Sequence, residues 1–182
     1  MKTSRAPLVL MGLSLLAAAA GCSRDSKGTP NAVAAEGDLT PGGAAPDFTA
    51  KAHDGTELHL AALKGKPVVL YFYPKDETPG CTKQACALRD AWADLEKTGV
   101  VLVGVSGDSD ESHKEFAAHH KLPFRLISDP DGKLAAQFKV PFRAGFASRQ
   151  TIVIDKEGRI KKVYRSVDVT THAKDVLGDL SS

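Results

Sequence analysis

The apolar residues of the chain fall into runs of two kinds. "KPVVLYFYP" (66–74) and "GVVLVGVS" (99–106) are unbroken, as expected of strands buried on both faces. Between them Ala85, Leu88, Trp92 and Leu95 recur at spacings of three, four and three, the single apolar stripe of a helix. "SDESHKEFAAHHK" (109–121) has helical character, with Ser109 as N-cap and Ser112 followed three residues on by Glu115. Shorter alternating runs flank Asp54–Gly55 in "DFTAKAHDGTELHL", which predicts a hairpin. "FRLISD" predicts a strand, "RQTIVIDKEGRIKKVYR" a second hairpin about "KEGR", and "THAKDVLGDL" a closing helix. Strand, helix, strand, helix, strand, hairpin and helix describe an α/β domain on a central mixed sheet flanked by helices.

The first 45 residues do not follow these patterns. "MKTSRAPLVLMGLSLLAAAAGC" opens with two positive charges and continues as an apolar run, Leu8 to Ala20, ending in small residues. This is the layout of a secretory signal peptide, too short for a span of roughly 20 apolar residues. "AAGC" resembles a bacterial lipoprotein box, although Ala19 stands where Leu is usual. The resemblance implies cleavage before Cys22, acylation of Cys22 and a lipid anchor in the bacterial cell envelope. Ser23 follows with no Asp beside it, which favours the outer membrane over the periplasmic face of the inner one. "SRDSKGTPNAVAAEGDLTPGGAA" lacks apolar period and reads as a flexible tether. The expected domains are a signal over 1–21, a tether over 22–45 and a folded body over 46–182.

Charge adds an exclusion. Residues 1–21 carry Lys2 and Arg5 and no acid, so their removal leaves 22 basic against 22 acidic residues. A neutral body without a basic block offers no electrostatic reason to bind nucleic acid.

The chemistry concentrates in "YFYPKDETPGCTKQACALRD" (71–90), at the carboxyl end of a predicted strand, where α/β sheets usually place their sites. Thr78 and Pro79 read as N-cap and first helical position. Cys81 then lies in the first helical turn, where unpaired N–H groups and the helix dipole stabilise a thiolate. A buried cysteine acting as a small hydrophobe is the ordinary alternative. A static Cys81–Cys86 staple is disfavoured. Five residues along a continuous helix separate the Cα atoms by about 8.6 Å with the side chains diverging, beyond the roughly 7 Å that a disulfide spans. Oxidation would require local unwinding, so the pair reads as a switch. A zinc clip would need two further ligands, and none of His53, His59, His113, His119, His120 and His172 stands in such a spacing. The "HH" pair reads as solvated surface, and no metal or cofactor is expected.

"YPKDETPGCTKQAC" resembles a peroxiredoxin of the bacterioferritin-comigratory-protein, or Q, type. Pro74, Thr78 and Cys81 meet the family signature Pro-x-x-x-Thr-x-x-Cys, and the likeness runs on through "SRQTIVIDKEGRI". It implies a thioredoxin-like fold and a thiol peroxidase without cofactor. Cys81 would be the peroxidatic nucleophile and Cys86 the resolving thiol that forms the Cys81–Cys86 disulfide. Arg149 would supply a fixed charge, Thr78 a hydroxyl, and Pro74 a shield against water. The implied partners are hydrogen peroxide or organic hydroperoxides and a thioredoxin-like protein reductant, with the chain a monomer. Gln84 replaces a frequent Glu and Leu88 a frequent Phe, and both read as mild variants. Behind a lipoprotein signal the cytosolic donor is missing, so a periplasmic thioredoxin-like partner is implied.

Three rival readings compete. A copper-delivery protein of thioredoxin fold usually places three residues between its cysteines, against four here. A thiol–disulfide oxidoreductase would carry Cys-x-x-Cys at the helix start. A structural lipoprotein would not need a cysteine pair that its own helix keeps apart.

Overall fold

The computed structural model describes residues 39–182. The expected signal peptide, Cys22 and most of the expected tether lie outside the described residues. A hairpin of β1 (Thr49–Lys51) and β2 (Glu57–His59) precedes β3 (Val68–Phe72). Then come α1 (Pro79–Asp90), α2 (Trp92–Lys97), β4 (Val101–Ser106), α3 (Asp110–His120), β5 (Arg125–Ser128) and α4 (Lys133–Gln137). A small hairpin of β6 (Phe142–Arg143) and β7 (Phe146–Ala147) leads to β8 (Gln150–Ile154), β9 (Ile160–Tyr164) and α5 (His172–Ser181).

The central sheet runs β5-β4-β3-β8-β9. β3 pairs in parallel with β4 and antiparallel with β8, so the sheet is mixed. Every residue of β3 is buried, as its unbroken apolar run requires. Alternation sends Val68, Leu70 and Phe72 into one core and Val69 and Tyr71 into the other. The first core holds β1–β2 and α4 residues, among them Leu58, Leu134 and Ala135. The second holds Ala85, Leu88, Leu95, Phe116 and Val176 from α1, α2, α3 and α5. Gly104 of β4 permits the close approach of Tyr71, whose ring a Cβ there would meet at 2.6 Å.

Three expectations change. The apolar stripe of 85–95 breaks at Ala91 into α1 and α2, leaving Trp92 half-buried at the junction. The short α4 and the β6–β7 hairpin carry too few periodic residues to be read from pattern. The tether does not extend to residue 45: Leu39 is buried in the first core, Gly42 N–H donates to the Ile160 carbonyl and Ala45 N–H to that of Gly158. Small residues allow that close backbone pairing, and their composition alone resembles a flexible linker.

Candidate active site

The parallel turn from β3 to α1 passes over the carboxyl end of the sheet, and Asp76 ties that turn down. Its carboxylate is buried, accepting from the Tyr73 hydroxyl at 2.7 Å and the Ser112 hydroxyl at 2.8 Å, with His113 Nδ1 also at 2.8 Å. Its own N–H donates to Asp108 at 2.9 Å. Burial pushes the Asp76 carboxyl up, but the bonds from His113, Tyr73 and Ser112 outweigh it and hold the group below the ordinary carboxylate range. This network sets the path of 74–78, with Pro74 and Thr78 half-buried.

Thr78 and Pro79 take the N-cap and first helical positions as the sequence predicts, but the Thr78 hydroxyl does not cap the helix. It donates instead to the Lys75 carbonyl at 2.9 Å, so its lone pairs remain available. The first intrahelical bond runs from Thr82 N–H to the Thr78 carbonyl. The N–H groups of Gly80 and Cys81 therefore precede the helical ladder, in the first turn that carries Cys81.

Cys81 is buried at 2% exposure and Cys86 is half-buried one and a half turns on; both are free thiols in an unbroken α1. Arg149 reaches Cys81 from the other side of the sheet order. β8 pairs antiparallel with β3, placing Gln150 opposite Phe72, so the residue before β8 stands at the carboxyl end of β3. Arg149 Nη2 lies 3.2 Å from Cys81 Sγ, and Arg149 Nη1 donates to Gln84 Oε1. Gly80 gives the guanidinium its room, since a Cβ there would stand 3.3 Å from Nη2.

Gln84, read from sequence as a mild variant, is fully buried and orients the arginine. With Oε1 taken by Arg149, its amide nitrogen donates to His172 Nδ1 at 3.3 Å. That fixes the His172 proton on Nε2, a buried atom without a hydrogen-bond partner among the described residues. Burial drops the His172 imidazole to about 4; Asp175 opposes that, and the Arg149 charge adds to it. Tyr71 lies in the same core as Cys81, its phenol pushed well up by burial and by the charges of Asp76, Cys81 and Cys86. Cys86 faces α3, with its sulfur 3.9 Å from His120 Nδ1. Cys81 and Arg149 thus meet, Thr78 stands three residues before Cys81 with its hydroxyl on Lys75, Cys86 stands apart, and Asp76, Gln84, His113 and His172 are supporting residues that no local motif marks.

The AhpC/TSA family model matches residues 41–163. The chain is 49% identical over 130 residues to the chloroplastic peroxiredoxin Q of Sedum lineare, covering 70% of each chain. It spans 60–70% of the length of such plant relatives. Its fold superposes on peroxidoxin BcpB of Mycobacterium tuberculosis with a TM-score of 0.70 at 34% identity, covering 80% of this chain and 95% of that one. The bacterioferritin comigratory protein of Xanthomonas campestris, described for its alkyl peroxide reduction activity, gives 0.69 at 34%, covering 74% and 90%. With the thiol, its arginine and the fold in agreement, the chain belongs to the AhpC/TSA family as a peroxiredoxin of the Q type, a thiol-dependent peroxidase.

Proposed function

We propose that the chain reduces hydrogen peroxide and organic hydroperoxides through a Cys81 sulfenic acid and a Cys81–Cys86 disulfide, with a thioredoxin-like dithiol protein as reductant. The observation that carries this reading is the Arg149 guanidinium at 3.2 Å from a buried first-turn sulfur. The thiolate attacks one peroxide oxygen; the S–O bond forms, the O–O bond breaks, and the distal oxygen leaves as hydroxide or alkoxide and takes up a proton. Arg149 and the leading amides of α1 stabilise the charge on both sides of that displacement. The Thr78 hydroxyl, whose proton is engaged by Lys75, accepts a bond from the peroxide O–H. Cys86 as thiolate then displaces hydroxide from the sulfenic sulfur, which forms S–S and releases water after protonation. Because α1 is continuous through both cysteines, that step requires its first turns to unwind. An external dithiol restores both thiols by exchange. The Xanthomonas protein's alkyl peroxide activity supports organic hydroperoxides as substrates.

The test is a peroxide titration of the reduced full chain, followed by mass spectrometry of the cysteine peptides. Stoichiometric peroxide loss with a Cys81–Cys86 disulfide is expected. Cys86→Ser should keep a single turnover and lose cycling with a dithiol, and Cys81→Ser should lose both. Sustained cycling in Cys86→Ser would remove Cys86 from the mechanism.

We further propose that the chain acts at the bacterial cell envelope, anchored through an acylated Cys22. The support is the order of charge, apolar run and "AAGC" in residues 1–22. Lipid on the amino-terminal peptide in membrane fractions is expected; an unmodified soluble chain that retains residues 1–21 would rule the anchor out.

A further inference from the structure

Glu77, His119 and His120 lie outside the peroxidatic site, and their side chains converge. Neighbouring residues on a helix point about 100° apart and do not normally face one another. His119 and His120, the last two residues of α3, nevertheless hold their rings at 4.3 Å between centroids. Both are turned onto one carboxylate: His119 Nδ1 is 3.0 Å from Glu77 Oε1, and His120 Nε2 is 3.1 Å from Glu77 Oε2. One ligand atom from each of the three residues lies within 4.8 Å of the others. Glu77 reaches this place from the turn before α1 by a left-handed backbone, φ 57°, which is unusual for a residue with a side chain.

We propose that Glu77, His119 and His120 form a binding site for a divalent late first-row transition ion such as Zn²⁺. Two imidazoles and a carboxylate are borderline donors that suit Zn²⁺, Cu²⁺ or Ni²⁺ and do not make the all-oxygen shell of Ca²⁺ or Mg²⁺. The spacings suit it as well. Ligands at roughly 2.0–2.1 Å from a tetrahedral ion stand about 3.3 Å apart, close to the two nitrogen–oxygen separations already present. Capture needs small rotations of three side chains and leaves the fourth position to water. Glu77 and His119 are exposed, so the ion has a path from solvent. With Nε2 on the ion, the remaining His120 proton sits on Nδ1, the nitrogen that faces the Cys86 sulfur at 3.9 Å. The ion would thus lie one imidazole away from the resolving thiol, and its carboxylate ligand belongs to the turn that starts α1. From sequence "HH" reads as solvated surface, since Glu77 is 42 residues from His119 and joins the pair only in the fold.

The site is tested on the full chain carrying Cys81→Ser and Cys86→Ser, which removes thiol ligation near the active site. Calorimetric titration with Zn²⁺ should show one ion bound, with affinity at least about tenfold weaker after Glu77→Gln, His119→Ala or His120→Ala. Co²⁺ at the same site should show d–d bands without a thiolate charge-transfer band. His119 has 70% of its side chain exposed, so its replacement tests the site without endangering the fold. Affinity unchanged in all three variants would overturn the proposal, as would binding that disappears with Cys22→Ser.

Discussion

Replacing Arg149 with Met keeps an unbranched apolar stem and removes the guanidinium, and with it the charge and the fork that join Cys81 to Gln84. At 3.2 Å and an effective dielectric of about 20, a guanidinium and a thiolate attract by about 5 kcal/mol. Water admitted to the vacated space returns part of this, while the α1 amino terminus contributes about 0.3–2 kcal/mol to the anion in both proteins and so cancels. A net loss of about 3–4 kcal/mol at the reacting sulfur remains, a slowing of roughly 10²–10³-fold in the reaction with peroxide. The assay is stopped-flow mixing of reduced protein with hydrogen peroxide. It follows Trp92, the single tryptophan, which is half-buried at the α1–α2 junction beside Phe124 with ring centroids 6.0 Å apart. Arg149→Lys, which keeps the charge but cannot serve both Cys81 and Gln84, should fall between the two. A rate for a folded Arg149→Met within about threefold of wild type would show that the guanidinium does not stabilise the reacting sulfur.

The supporting residues give two further expectations. Gln84→Leu removes a bond to a charged group worth about 1.5–3 kcal/mol and should slow the peroxide reaction about ten- to hundredfold, while Gln84→Glu restores it. Equal rates in Leu and Glu variants would show that Arg149 needs no anchor. His172 titrates near 6.5 in the unfolded chain but only near 4 when folded, so its contribution is complete above 6.5 and is lost as pH falls toward 4. Between neutral pH and about pH 4.5 this amounts to about 2–3 kcal/mol, which His172→Asn should remove from the pH dependence of the urea midpoint. The same pH dependence in both proteins would place the burial penalty elsewhere.

Much of the fold was legible because its signals are local. Continuous apolar runs marked β3 and β4, and Ser109 capped α3 as its sequence suggests, accepting from Ser112 N–H at 3.3 Å. The break at Ala91 was not legible, since both halves of the stripe remain apolar and only their packing interrupts the helix. Asp76 was equally hidden: as a charged residue in a polar turn it reads as solvated, and its burial depends on Tyr73, Ser112 and His113 meeting it.

By itself the sequence determined the sheet-forming runs and the seat of Cys81 in the first turn of a helix. It also determined that a continuous helix holds Cys86 away from Cys81. Periodicity, capping and helical rise act over a few residues, so they can be read along the chain. The resemblance names Arg149 from the sequence, but only the tertiary structure decided how it meets the sulfur, because the antiparallel register of β8 on β3 carries it across 68 positions to Cys81. It also decided that Gln84 holds that arginine, that the Thr78 hydroxyl turns to Lys75, and that Glu77 joins His119 and His120. These pairings depend on where strands and helices are set relative to one another, and no local propensity encodes that distance.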